Sequence, residues 1–373
     1  MRQTPLTTHH SPLTDAHFLH HALRIAARGL GRTSPNPSVG CVLVKNNHVL
    51  AATRTADGGR PHAETQALAI AGAAAGGATA YVTLEPCAHH GQTPPCAEAL
   101  IAAGIARVVI AETDPDPRVA GKGIAMLRAA GIEVSLLTTH HPPLTDLNRG
   151  FFRRLAQGQP HVAMKLATTT DYFMARGDGG GQWITGHVAR THGNQLRGQY
   201  DAMLTGIGTV LADNPQMNVR APNLPHPNLI RVVADRQLRL PLTSHLVKTA
   251  SQQPTWVITS AEAVELAASH ATELREAGVK FLVMEDRALP PLHILKALAA
   301  EGITRLLIEA GPGLSHAFLA QNEVETLHWY RAPTLLGNAG KSPIDALHST
   351  LANVARAHTR TLGDDTYERY ELH

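Results

Sequence analysis

The sequence predicts an α/β protein built from two domains. The chain has 373 residues, which is long enough for two domains. Short apolar runs that suit buried strands alternate with segments of strong helix formers, a pattern that favours sheets covered by helices. A proline-containing segment from His140 to Leu147 interrupts this alternation. We therefore expect one domain at residues 13–147 and a second at residues 148–373.

Composition excludes several classes of protein. The net charge of +3 is small for this length and no lysine or arginine block stands out, which argues against a nucleic-acid partner but permits anionic small substrates. No apolar run approaches the roughly 20 residues of a membrane span, and a signal-peptide core is absent. Three cysteines provide no disulfide framework. We expect a cytoplasmic homo-oligomer, either a dimer or a tetramer, without a membrane partner.

The first predicted domain begins with a helix from Ala16 to Arg28, capped by Thr14 or Asp15. A turn at residues 34–37 then precedes a buried strand at 39–44. The remaining pattern predicts a helix after His62, a strand at 80–84, a helix from Cys96, a strand at 107–111, a helix at 124–130 and a strand at 133–137. This order implies an α/β sandwich with a mostly parallel sheet.

The segment from Pro61 to Cys96 contains the residues of a catalytic zinc site. His62, Cys87 and Cys96 supply one imidazole and two thiolates, which leaves the fourth position of a tetrahedral zinc ion for water. Glu64 follows the imidazole ligand by two residues, where a carboxylate can carry protons between that water and a substrate. H-x-E followed by P-C and a second Cys is typical of zinc deaminases. The alternative is a reduced pair of structural cysteines.

Local structure brings these ligands together. The helix formers after His62 place His62 and Glu64 in a first helical turn, and a Pro-Pro pair places Cys96 at the start of another helix. The strand at 80–84 delivers Cys87 to its end. All three ligands therefore reach one edge of the sheet, where ligands of α/β proteins bind.

Two neighbouring residues have structural interpretations. Cys41, inside the predicted strand, is interpreted as a core residue because a catalytic zinc keeps one open position. Asn36 suits a turn, but its amide also has the donor and acceptor needed to bind the edge of a pyrimidine. The residues alone leave both interpretations of Asn36 open.

The second predicted domain starts with a helix at 148–155. Strands are then predicted at residues 161–168, 201–204, 229–234, 255–259, 280–284, 305–309, 326–330 and 366–372, and helices at 261–276, 292–301 and 312–321. Glycine-rich turns at 206–209 and 311–313 follow strands, where backbone amides can hold phosphate. Helix capping explains such turns about as often. Periodicity predicts only an α/β fold here.

Both domains contain longer motifs. The first contains P-N-P-S-V-G-C-V at 35–42, P-H-A-E at 61–64, a long P-C…H-H-G…T-P-P-C segment at 86–96 and D-P-D-P at 114–117. The second contains Q-W-I-T-G at 182–186, L-R at 196–197, G-T-V-L-A-D-N-P at 208–215 and E-A-G-P at 309–312. Together they resemble the bifunctional riboflavin-biosynthesis deaminase/reductase family. The resemblance covers nearly the whole chain after the first dozen residues.

This resemblance implies a cytidine-deaminase-like α/β/α sandwich followed by a dihydrofolate-reductase-like α/β domain. It implies zinc-dependent deamination of 2,5-diamino-6-(5-phosphoribosylamino)pyrimidin-4(3H)-one and then NADPH-dependent reduction of the ribosyl group to ribityl. Zinc and NADPH are the expected cofactors. One alternative is a deaminase of another nucleobase or of a nucleic-acid base with a non-reducing C-terminal domain, which the aromatic content of 4% disfavours. Another is a zinc-stabilised scaffold without catalysis.

The resemblance also implies residue roles. Beside the catalytic Glu64, Asn36 and His89 contact the deaminase substrate. In the reductase, the substrate-binding positions are Lys165, Arg197, Met217, Arg220 and Glu309, and the cofactor-binding positions are Ala167, Trp183, Thr209, Asp213, Arg236 and Gly311. An arginine at position 236 can pair with a 2′-phosphate. Without the resemblance, the residues are equally well interpreted as structural: Arg197 and Arg220 as surface ion-pair partners, and Trp183 as a core aromatic.

The sequence departs from the family pattern at several positions, one of which is Arg236, where a small polar residue is frequent. Gln92 stands where a basic residue usually helps to recognise the substrate, and Gly181 stands where a serine commonly contacts it. Tyr172 replaces a glycine beside the expected path of the cofactor. These departures concern recognition of the phosphorylated substrate in the first domain and both ligands in the second.

Overall fold

The computed structural model describes residues 14–90, 94–116, 120–137, 147–176, 183–220, 229–343, 347, 350–351, 354 and 356–372. This part of the chain forms two compact units. One contains residues 14–29 and 36–148, and the other contains residues 30–35 and 149–372. Gln92 and Gly181 lie outside the described residues, so what they do stays a prediction.

The first unit contains a five-stranded sheet with the strand order β2-β1-β3-β4-β5. Its strands are β1 (Gly40–Lys45), β2 (His48–Arg54), β3 (Thr79–Val82), β4 (Arg107–Ile110) and β5 (Glu133–Leu136). Its described α-helices are α1 (Asp15–Ala26), α2 (Ala63–Ala71), α3 (Cys96–Ala102) and α4 (Lys122–Ala129). Apart from β2, these elements lie where the alternation of the sequence predicts them, with ends that differ by one or two residues.

The expectation of a mostly parallel sheet is wrong. Strand β1 pairs antiparallel with both β2 and β3, and only β3-β4 and β4-β5 are parallel. The pattern missed β2, which follows β1 through the two residues Asn46 and Asn47. Both have positive φ, 50° and 61°, as a tight hairpin turn of the primed type requires, and asparagine tolerates that conformation. A two-residue turn can join only antiparallel strands.

Helix α1 packs directly on strand β1. Phe18, Leu19 and Ala22 are buried in one cluster with side chains of the sheet. A Cβ atom added at Gly40 would lie 2.0 Å from the carbonyl oxygen of Ala22, so this close approach requires glycine. Helix α1 therefore covers the sheet at strand β1, and the neighbouring strand β3 leads to Cys87.

The second unit contains a nine-stranded sheet with the order β11-β10-β9-β8-β12-β6-β13-β16-β15. The strands are β6 (His161–Thr169), β8 (Ala202–Gly206), β9 (Ile230–Ala234), β10 (Thr255–Ser260), β11 (Lys280–Met284), β12 (Arg305–Ile308), β13 (Thr326–Ala332), β15 (Arg356–Leu362) and β16 (Asp365–Glu371). Strands β11 to β13 along this order are parallel, and β16 and β15 close one side antiparallel. A separate ladder pairs β7 (Phe173–Arg176) with β14 (Gly340–Pro343).

The described α-helices of this unit are α5 (Arg149–Gln157), α6 (His187–Leu196), α7 (Ile207–Asp213), α8 (His245–Lys248), α9 (Ala261–Leu266), α10 (Ala268–Glu276), α11 (Pro291–Ala300) and α12 (Pro312–Ala320). The single helix predicted at 261–276 is wrong, because Ala267 leaves the helical region at φ −117° and ψ 41° and separates two helices. The sequence pattern also missed β7, β14 and β15. None of the described helices is long and apolar enough to cross a membrane.

The order of the central strands positions the functional residues of this unit. Strand β12 lies between β8 and β6, and all three are parallel. Their carboxyl ends therefore meet at one edge of the sheet, which is where ligands bind in open α/β sheets. Residues after β8 and β12 and near the end of β6 are brought together there.

Candidate active sites

The first site is formed by one imidazole and two thiols. His62 is the N-cap residue of α2, Cys87 follows strand β3, and Cys96 is the first residue of α3. Their ligand atoms all lie within 4.8 Å of one another. His62 Nδ1 is 3.3 Å from Cys96 Sγ and 3.7 Å from Cys87 Sγ. Tetrahedral zinc with usual bond lengths separates nitrogen and sulfur ligands by about 3.6 Å, so the three residues fit that ion.

Electrostatics within the cluster favour metal binding. The backbone N–H of Cys96 donates to Cys87 Sγ over 3.2 Å. The hydrogen bond with Cys96 and the contact with His62 hold the pKa of Cys87 well below its usual range, whereas the pKa of Cys96 is raised by its bond to Cys87 and by burial. Zinc binding requires both sulfurs as thiolates, and the contacts that lower the pKa of Cys87 favour that form at one of them.

Glu64 lies in the first turn of α2 and is 3% exposed. Burial, reinforced by the thiolate of Cys87, raises the pKa of Glu64 to about 7. A carboxyl group with a pKa near neutral can both accept and release a proton in one catalytic cycle. The arrangement of a buried carboxyl beside His62 and Cys96 is therefore suited to proton transfer.

The two predicted substrate contacts of this unit lie in loops. His89 is half-buried, and its Nδ1 atom is buried without a hydrogen-bond partner among the described residues. A buried ring nitrogen without a partner is costly unless a ligand or water pairs with it. The Asn36 side chain donates from Nδ2 to the carbonyl oxygen of Gly59 over 2.9 Å. Its amide therefore has a structural contact, as the turn interpretation requires.

In the second unit, Lys165, Arg197 and Glu309 form one charged cluster. Arg197 binds the Glu309 carboxylate with both Nε and Nη2, over 2.7 and 2.9 Å, and Lys165 Nζ lies 3.7 Å from Glu309 Oε2. Burial alone would raise the pKa of Glu309, but Arg197 and Lys165 lower it to about 2. Two cations surround one carboxylate, so the cluster keeps a positive charge that suits an anionic ligand.

Hydrogen bonds to the side chains of Asn194 and Arg197 hold the segment that carries Arg220. The Asn194 side chain on α6 accepts a short hydrogen bond from the backbone N–H of Arg220 and donates to the carbonyl oxygen of Asn218 over 3.3 Å. Arg197 Nη1 donates to the same oxygen over 2.9 Å. Sequence reasoning missed Asn194, although it lies three residues before Arg197, on the same side of the helix. Met217, in this segment, is buried with a φ of 48°.

The predicted cofactor residues fall into two groups. Thr209 Oγ1 accepts the backbone N–H of Gly311 over 3.1 Å, which joins the two glycine-rich turns after β8 and β12. Ala167 lies near the end of β6 and pairs with Tyr330. The other three positions lie at the surface: Trp183, which is 57% exposed and has the Arg190 guanidinium 5.1 Å from its ring centre, Asp213 and Arg236.

Tyr172 adopts the left-handed backbone conformation that the family's glycine would adopt easily, with φ 69°. Its ring stacks on Trp329, with ring centres 5.5 Å apart and an angle of 27° between the planes. The bulky side chain is therefore accommodated by packing against strand β13.

Two family models match the chain. The RibD C-terminal domain matches residues 160–367, and the cytidine and deoxycytidylate deaminase zinc-binding region matches residues 13–112. Together with the two folds and the two clusters of residues, these matches define an enzyme with a zinc-dependent deaminase domain and a reductase domain.

Individual relatives narrow this class. The riboflavin biosynthesis protein RibD of Actinobacillus pleuropneumoniae is 41% identical over 337 residues, which are 89% of this chain and 87% of that protein. Acinetobacter baumannii RibD has a similar structure, with a TM-score of 0.83, 38% identity and coverage of 96% and 98% of the two chains. The deaminase/reductase structure from Thermotoga maritima has a TM-score of 0.82, 30% identity and the same coverage. The chain belongs to the RibD family.

Membership confirms the resemblance, the two predicted folds and the predicted function. The protein is a bifunctional enzyme of riboflavin biosynthesis that catalyses a deamination and a reduction, with zinc and NADPH as cofactors. The alternative of a nucleic-acid-base deaminase with a non-reducing second domain is not favoured, because relatives of both domains are RibD proteins.

Proposed function

We propose that His62, Cys87 and Cys96 hold the zinc ion and that Glu64 is the general base and acid of the deaminase. The observation that carries this proposal is the meeting of three ligand atoms within 4.8 Å beside a carboxyl group that is 3% exposed. When bound, zinc lowers the pKa of water towards roughly 7 and so supplies a nucleophile at neutral pH.

Glu64 accepts the proton of the attacking water and delivers it to the amine that leaves as ammonia. One C–N bond of the pyrimidine is replaced by a C–O bond, so the ring gains an oxo group. The substrate is 2,5-diamino-6-(5-phosphoribosylamino)pyrimidin-4(3H)-one, a proposal supported by the deaminase named for the Thermotoga maritima relative. His89, with its buried ring nitrogen, and Asn36 contact this substrate.

In the reductase, we assign the substrate to the charged cluster and the segment beside it. Lys165, Arg197 and Arg220 supply positive charge for a phosphorylated ribose, Glu309 fixes Lys165 and Arg197, and Met217 forms a buried wall. NADPH supplies the hydride that reduces the ribosyl group. The residues that would hold this cofactor are Ala167, Trp183, Thr209, Asp213, Arg236 and Gly311, among which the exposed Arg236 suits a 2′-phosphate.

The test uses each activity as the control for the other. Glu64→Gln should keep the zinc, abolish ammonia release and leave NADPH oxidation intact when the deaminated product is supplied. Arg197→Met should abolish NADPH oxidation and leave ammonia release intact. A matched control is Glu98→Gln, whose carboxylate in the same unit is 44% exposed and pairs with His90. Ammonia release by Glu64→Gln at the wild-type rate would remove the base assignment.

We further propose that the domains span residues 13–147 and 148–373, that the protein is cytoplasmic and that it assembles into a dimer or a tetramer. Its other partner is a small-molecule substrate. The two compact units and the three free cysteines support the first two proposals. Light scattering of the purified protein tests the third, and a mass of 39.8 kDa in solution would refute it.

A further inference from the structure

Glu85 is a buried carboxyl group next to the metal-ligand loop. It follows strand β3, precedes Cys87 by two residues and is 3% exposed. Its Oε2 atom accepts the backbone N–H groups of Asp114 over 3.3 Å and of Gly121 over 3.0 Å. Its Oε1 atom accepts the N–H of Ile124 over 3.2 Å. One side chain thus binds the segment after β4 and the first turn of α4.

Backbone contacts tighten the same junction. The N–H of Glu85 donates to the carbonyl oxygen of Glu112 over 2.9 Å. A Cβ atom added at Gly123 would lie 2.0 Å from the carbonyl oxygen of Pro86, so the start of α4 packs directly on the residue before Cys87. The Glu85 carboxylate therefore holds α4 against the backbone that leads to the ligand.

Helix α3 holds Cys87 from the other direction. The N–H of Ala97 donates to the carbonyl oxygen of Cys87 over 3.2 Å, and the N–H of Cys96 donates to its sulfur. The backbone at Cys87 is therefore held by α3 at Cys87 itself and by Glu85 two residues earlier. Glu85 thus supplies three hydrogen bonds that tie the backbone before Cys87 to the β4–α4 segment.

We propose that Glu85 is a positioning residue for the zinc site: it fixes the direction of the Cys87 thiolate without touching the metal or the substrate. This inference rests on the proposed zinc ligands. Ligands must be held within about 0.5 Å of the productive geometry, and groups that orient metal ligands typically contribute 10- to 100-fold to metal affinity.

Two variants of the full-length enzyme test the proposal. Glu85→Ala removes all three accepted hydrogen bonds and should weaken zinc binding about 100-fold. Glu85→Gln has nearly the same shape and keeps one acceptor oxygen, so it should recover part of that affinity, to within about 10-fold of wild type. The control is Glu133→Gln in the same unit, whose carboxylate is 68% exposed and should leave zinc affinity unchanged.

Zinc affinity is measured by competition with a chelator, and cobalt(II) substitution reports the geometry of the thiolate ligands through its absorption bands. Both variants should change the cobalt spectrum at saturating cobalt, and NADPH oxidation with the deaminated product should stay at the wild-type rate. A purely structural role predicts earlier unfolding with the wild-type affinity and cobalt spectrum, and that result overturns the proposal. A wild-type enzyme that binds no zinc would instead overturn the proposed function itself.

Discussion

Acidification from pH 7 to pH 5 should destabilise the second unit through His328. This residue lies on β13, is 5% exposed and is held between two tyrosines. Its Nε2 atom lies 3.0 Å from Tyr200 Oη and its Nδ1 atom 2.8 Å from Tyr367 Oη. Burial lowers the pKa of His328 to about 3, with Arg369 adding to the effect. A neutral imidazole, with one donor and one acceptor, satisfies both tyrosines.

The magnitude follows from the difference in proton binding. The pKa of histidine in an unfolded chain is about 6.5. Between that value and the folded pKa, the unfolded chain binds a proton that the folded chain does not, so the free energy of unfolding falls by about 1.4 kcal/mol per pH unit. The contribution is fully present above the unfolded pKa. Integrated from pH 7 to pH 5, the loss from His328 is about 2 kcal/mol.

Tryptophan fluorescence isolates this unit, because all three tryptophans of the chain, at positions 183, 256 and 329, lie in it. Urea unfolding is followed at pH 7 and pH 5 for the wild type, His328→Gln and the control His293→Gln, whose ring is 49% exposed. On acidification, His328→Gln should lose about 2 kcal/mol less than the wild type, and the control should match the wild type. Equal losses in all three proteins would refute the reasoning. The buried His161, whose pKa burial also lowers, remains in every variant.

Two further predictions concern the second unit. Glu309→Gln leaves Arg197, whose side chain is only 15% exposed, without its carboxylate and should lower the free energy of unfolding at pH 7 by about 3 kcal/mol. Urea unfolding measures this change, and recovery is expected in the double variant with Arg197→Met. The stability that the Glu309 carboxylate contributes should persist as the pH falls to about 4.5 and disappear towards its folded pKa of about 2. A free energy of unfolding of Glu309→Gln equal to that of the wild type at pH 7 would contradict the predicted contribution. Tyr172→Gly removes about 1–2 kcal/mol of left-handed strain but also about 0.5–1.5 kcal/mol of ring stacking on Trp329. The ring is also partly buried against the core, and that burial is lost with it, so the free energy of unfolding should fall by about 1–2 kcal/mol. An unchanged or increased free energy of unfolding in the urea experiment would contradict this prediction.

The proposed deaminase residues could be predicted from the sequence because the spacing that groups them is local. Glu64 lies two residues after His62, and the helix formers that follow place both at one helix start. Cys96 follows a Pro-Pro pair that begins the next helix. Short-range preferences therefore determined most of the predicted ligand set, and the structure needed only to bring the end of β3 beside these helix starts.

The details of the same unit depended on pairing. The antiparallel β1-β2 hairpin turns at two asparagines with positive φ. The pattern of apolar residues, from which the strands were predicted, does not reveal such a turn. Glu85 looks like an ordinary residue before Pro86 and Cys87, and its role depends on backbone N–H groups from residues 114, 121 and 124. No local rule predicts which distant N–H groups will face a carboxyl group.

What the sequence by itself determined is the alternation of strands and helices, the set of residues proposed as metal ligands and, through its motifs, the family. Only the tertiary structure decided that β12 lies between β8 and β6, and hence that Lys165, Arg197 and Glu309 form one cluster. Buried parallel strands all have a similar apolar pattern, so the local pattern of a strand does not show which strands are its neighbours. That order is set by the packing of the whole sheet and its helices, which acts between residues far apart in the chain.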